Sequence, residues 1–228
     1  MERTLNIMTL DIKKKGFLSN LTIYLLMAVC ISVLLCIHGK MTNVPEIFLS
    51  LTPYIILVIS SFSLTQEFTN KTDKMIFTGI FTRNEIMASK LISFIFMSII
   101  CFMFYEASSL ACNTFDSKML LHEFCLFVIY AFTLGSFILL ISVITSSFLV
   151  TGIIGYVLYF DLILVLLNQA LSSGRSKALK CVIRNLPFYI ANTGFLAGKY
   201  TLHQSVIMLT SGTIFFTIAC AIINIKNM

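Results

Sequence analysis

Charge is scarce in this chain. Of its 228 residues, 11% are Asp, Glu, Lys or Arg and 58% are hydrophobic, whereas soluble domains carry about 25% charged residues. In water such a chain would leave large apolar patches uncovered. That excludes an ordinary soluble domain and points to an integral membrane protein. Catalytic signatures are missing too. The nearest approach to a phosphate loop, "GFLAGKYT", is one residue short and has Tyr200 at the hydroxyl position, so ATP is not expected to bind here. There is no Gly-x-Ser-x-Gly serine and no carboxylate pair with the spacing of a membrane prenyl protease. The seven cysteines form no Cys-x-x-Cys pair, and His38, His122 and His203 fall on different segments. The cysteines read as apolar filler, and no metal is expected. No Ala-x-Ala site follows the first apolar run, which reads as a span rather than a cleaved signal.

The formal net charge is +6. In a soluble chain this would suggest a nucleic-acid partner. Here Lys and Arg sit between apolar runs, where they set orientation and meet anionic headgroups. No basic stripe is interleaved with aromatics, so nucleic acid is not an expected partner and membrane lipid is.

Six apolar runs, about 20–38, 47–65, 91–112, 123–146, 149–170 and 205–224, each approach the ~20 residues needed to cross a bilayer. Backbone groups in lipid must bond within their own segment. The expected fold class is therefore an all-α membrane protein with six transmembrane helices in one domain. Residues 1–19 place Leu5, Met8 and Ile12 at helical spacing against Lys13 to Lys15, the pattern of an amphipathic interfacial helix. With both termini cytoplasmic, nine Lys and Arg fall inside and seven outside; three lysines precede the first run and Lys40 follows it. Pro45 precedes the second run, and Pro53 falls in its first turns. Between the fourth and fifth runs only a short turn remains, "SVITSSFLVTGIIGY", whose Gly152 and Gly155 suit close helix packing. An outer loop, 171–204, contains "LPFYIANTGFLAGKY", which reads as a short helix at the outer interface or a partly re-entrant segment. Tyr189 and Tyr200 suit an interfacial level.

Two features break the apolar pattern. Glu106 and Asp161 lie within runs, where a charge at the bilayer centre costs at least about 2.5–3.5 kcal/mol. Each reads either as part of a substrate path or as a hydrogen-bonding group between helices. The second feature is a charged, Thr-rich island at 66–90. Thr69, Asn70 or Thr72 is placed to cap one short helix, and Thr82 or Asn84 to cap the helix entering the third run. Between them Met75, Ile76, Phe77, Ile80 and Phe81 supply apolar surface, with a bend near Gly79. Five large apolar residues flanked by charges of both signs suit a protein partner.

The island resembles the inner loop of type-2 ABC exporter permeases. That family has a Glu after the second helix, a Thr-rich amphipathic segment, an aliphatic pair, a hydroxyl residue with Arg, an acidic or polar residue with an aliphatic one, and a Lys opening the third helix. Glu67, Thr72, Met75-Ile76, Thr82-Arg83, Glu85-Ile86 and Lys90-Leu91 stand here in that order. Lys71 replaces the usual Gly, and Ile80 the usual Pro. The resemblance implies a permease subunit in the bacterial cell membrane. It would pair with a second permease chain, alike or unlike, and dock separate ABC ATPase subunits on this coupling helix. ATP and Mg would then reside on the partner, with no cofactor on this chain. A compact chain of this kind is similar to exporters of amphipathic or antimicrobial peptides, the phenol-soluble modulin exporters among them. Lipid-like compounds suit the Phe-rich composition as well. Two other readings remain: an ion-coupled secondary transporter using Glu106 and Asp161, and a non-transporting scaffold, immunity or sensor subunit.

Overall fold

A computed structural model describes residues 4, 9, 17–36, 43–69, 82–159, 161–172 and 177–225. Among these the chain forms nine helices and no strand. They are α1 (Phe17–Cys36), α2 (Val44–Thr69), α3 (Arg83–Ala111), α4 (Leu120–Thr145), α5 (Phe148–Tyr159), α6 (Asp161–Ser172), α7 (Lys177–Arg184), α8 (Pro187–Leu196) and α9 (Leu202–Ile225). Four of them, α2, α3, α4 and α9, are long and apolar enough to cross a membrane. The expected interfacial helix at 1–19 lies outside the described residues, apart from Thr4, Thr9 and the opening of α1.

Helix α4 is the centre. Its sequence, LLHEFCLFVIYAFTLGSFILLISVIT, is apolar all round, as a helix contacted on every side must be. It packs against α2, α3, α5, α8 and α9. By contrast 22% of the apolar window of α9 is buried, against 67% for α4, so most of α9 faces outward. Packing carries the association. Polar bonds between helices exist, as in the Ser98 hydroxyl donating to the Phe127 carbonyl at 2.8 Å, but such bonds average only about 0.6 kcal/mol in membrane proteins. Most other buried hydroxyls turn back on their own helix: Ser32 donates to the Ala28 carbonyl, Thr52 to Phe48 and Ser93 to Ser89. In this way an apolar helix carries Ser and Thr without leaving a polar atom bare.

The helices depart from the six expected runs in three places. Helix α2 begins at Val44, so Pro45 lies in its first turn, where no N–H is needed, and Pro53 is the tenth of its 26 residues. Helix α3 begins at Arg83, ahead of the apolar run that starts at 91, as the expected cap at Thr82 requires, and α2 reaches Thr69. The expected coupling segment, 66–90, therefore overlaps both helices. The fifth run is described as α5 and α6, 12 residues each, on either side of residue 160, which lies outside the described residues. The expected tight turn into it is present: Ser146 closes α4 in the left-handed region (φ 51°), and α5 starts two residues later. Gly155 lets α5 close on α2, since a Cβ there would lie 2.6 Å from Leu57 Cδ1; Gly152 faces open space.

The expected outer loop, 171–204, holds α7 and α8. Helix α8 packs against α4 and α9. Pro187 opens it without wasting a donor. Phe188 then packs at 5.2 Å against Phe137 and stacks on Phe215. Phe137 is the eighteenth of the 26 residues of α4, about 25 Å from the Leu120 end at 1.5 Å per residue. At the other end of α8, Phe195 meets Phe127 at 5.2 Å and Tyr130 at 4.4 Å. Helix α8 thus climbs from deep in the bundle towards the α3–α4 turn. Both tyrosines expected at an interface are hydrogen-bonded: Tyr189 donates to Asn168 Oδ1 on α6, and Tyr200 to the Ala191 carbonyl on α8.

Candidate functional site

At the end of the bundle where α3 begins, local polar chemistry is dense. Thr82 is the N-cap of α3 in extended backbone. Its side chain accepts from the Glu85 N–H, and the Glu85 carboxylate accepts from the Thr82 N–H at 2.8 Å. This reciprocal capping box satisfies two N–H groups that an uncapped helix leaves bare. Thr82 is thus the capping residue of the two that the sequence allowed. The next residue, Arg83, reaches across to α9. Its Nη1 donates to the Ile223 carbonyl and, at 3.4 Å, to the Asn224 carbonyl. Asn224 Nδ2 donates to Asn84 Oδ1 at 3.0 Å. A cation on the last carbonyls of a helix also complements its dipole. The start of α3 and the end of α9 are therefore clasped together.

Of the island residues singled out in the sequence, Thr82 and Arg83 are placed in this clasp. Glu67 lies in the last turn of α2, with only its backbone described. Thr72, Met75, Ile76, Phe77, Gly79, Ile80 and Phe81 lie outside the described residues. Lys90, which opens the third apolar run, is 2% exposed within the bundle.

The two acids within apolar runs have different settings. Asp161 lies in α6, with only its backbone described. Glu106 is buried near the far end of α3 and lines a cavity of about 250 Å³ between α2, α3, α4 and the α3–α4 turn. Three further acids line it: Glu46, Asp116 and Glu123. Glu106 and Glu123 both line this cavity, and the Tyr105 hydroxyl donates to Glu123 Oε1 at 3.4 Å. Among the described residues no Lys, Arg or His lines the cavity.

Glu46, Asp116 and Glu123 were not singled out in the sequence. A signal was there: with alternating spans, the start of the second run, the end of the third and the start of the fourth share one side. Among the described residues no group of three or more His, Cys, Asp and Glu is placed to hold a metal ion. His122 and His203 are exposed. Neither a protein-family model nor a curated protein matches the chain.

Proposed function

We propose that this chain is the membrane permease subunit of a bacterial ABC exporter, with six spans in which α5 and α6 together form the fifth. It pairs with a second permease chain in the cell membrane, both termini cytoplasmic. Separate ATPase subunits dock on the island between α2 and α3, and ATP and Mg belong to those subunits. The substrates that suit it are amphipathic or antimicrobial peptides and lipid-like compounds. The observation that carries this reading is the clasp at the island's exit. Because Thr82 caps α3 and Arg83 grips the end of α9, a force applied to the island reaches two long helices at once. Uncovered apolar side chains on α1 and α6, such as Leu34, Leu35 and Val165, leave surface for lipid and for a second chain.

The test is to change Ile76 and Phe77 together to Ala. Co-purification of the ATPase should be lost while membrane insertion stays normal, because these residues supply the apolar contact. An ATPase that remains bound to the double variant contradicts the reading. A second reading is favoured by Glu106 in its acidic cavity: an ion-coupled transporter with carboxylates along the path. Transport that continues without ATP and stops when the proton gradient is collapsed selects it.

A further inference from the structure

We propose that the acidic cavity at the α3–α4 turn binds a primary ammonium group. The inference goes beyond the transport reading and does not depend on it. Three of the four carboxylates have local reasons to be where they are. Glu46 and Glu123 lie in the first turns of α2 and α4, where helix N-termini favour anions. Asp116 shapes the turn, its Oδ1 accepting from the Lys118 N–H at 3.0 Å. Glu106 has no such reason. It sits near the carbonyl end of α3, the end that disfavours an anion. It is 9% exposed, and its Oε1 is buried without a hydrogen-bond partner among the described residues. A buried polar atom left unmatched is costly, and carboxylates gathered around one cavity repel unless a proton or a cation compensates them.

The cavity's shape selects the kind of cation. Among the described residues no three ligating side chains converge on one point, whereas a divalent cation such as calcium takes six or more oxygens. A volume of about 250 Å³ exceeds what a bare ion fills. An ammonium carries three N–H donors on one atom, enough for Glu106 Oε1, Glu123 and one further acceptor, in charge-assisted bonds. Phe115 and Met119, both partly exposed on the same wall, give an apolar surface for the methylenes next to it. A soluble amine and an ethanolamine headgroup both present this chemistry.

The test uses the full chain in nanodiscs of phosphatidylcholine and phosphatidylglycerol. n-Propylammonium chloride replaces NaCl at constant ionic strength while the thermal unfolding midpoint is followed. The midpoint should rise and saturate, as binding to the folded state requires. Tetramethylammonium, which has the charge but no N–H, should produce no such rise. Glu106→Gln should raise the half-saturating concentration roughly tenfold or more, the scale of one lost charge-assisted bond. The exposed Glu46→Gln should raise it by only about two- to threefold; this variant, with Glu123→Gln, serves if Glu106→Gln does not fold. In discs containing phosphatidylethanolamine, a midpoint already raised and indifferent to added amine identifies the headgroup as occupant. An unchanged amine response there identifies a soluble amine. No response to propylammonium, an equal response to tetramethylammonium, or undiminished responses in all three variants overturn the proposal.

Discussion

The two ends of the helix bundle treat charge in opposite ways. Where α3 begins, charged and polar groups answer one another: Thr82 with Glu85, Arg83 with the last carbonyls of α9, Asn84 with Asn224. Where α3 ends, four carboxylates line a cavity on which no basic side chain is found among the described residues. Both ends draw on the same few residue types. The first spends them on closing helix termini, so its charges have internal partners and serve rigidity. The second leaves a buried carboxylate oxygen unmatched. Burying such a group is costly unless a proton or a cation compensates for it; under the two proposals above, a ligand accordingly belongs at the second end and the transmission of force at the first.

The contrast can be broken at three points. The largest effect is expected from Phe195→Ala. Phe195 is fully buried between Phe127 and Tyr130, and Phe127 in turn packs on Tyr105, which lines the cavity. The loss should be about 3–5 kcal/mol of unfolding free energy, measured by steric trapping in bicelles. It should also loosen the acidic end while sparing the clasp. Arg83→Ala should have a smaller cost, about 1.5–3 kcal/mol, the range for hydrogen bonds from a charged group. Hydrogen exchange should quicken at 219–225 and remain unchanged around the α3–α4 turn; equal quickening at both ends would mean that the two are not independent. Smallest is Thr82→Ala, which removes one half of the capping box and should cost about 1 kcal/mol. Its effect should show as fraying of Arg83 to Met87 by the same exchange measurement.

Much of the fold was legible because hydropathy is a strong signal in a chain with so little charge. The long runs mark α2, α3, α4 and α9 to within a few residues at their apolar ends. The signal failed where helices continue into polar sequence. Arg83 to Lys90 belong to α3, and the clue was the Thr82–Glu85 spacing rather than hydropathy. The segment 187–196 reads ambiguously because its burial is set by partners far away: Phe137 and Phe215 at one end, Phe127 and Tyr130 at the other. The clasp was half visible. Thr82 was expected as a cap, but nothing local shows that Arg83 meets residues 140 positions away. The cavity was less visible still. Of its acids only Glu106 stands out in an apolar run, while Glu46 and Glu123 resemble ordinary helix starts until the bundle brings them together.

The central claim is that the island between α2 and α3 carries a separate ATPase. Extracting the chain in mild detergent from membranes that express it, and identifying the co-purifying polypeptides by mass spectrometry, tests this most directly. A soluble ATPase in stoichiometric amount is the predicted result, with or without a second helical membrane chain. A preparation from the same membranes that retains the chain and holds no ATPase would contradict it.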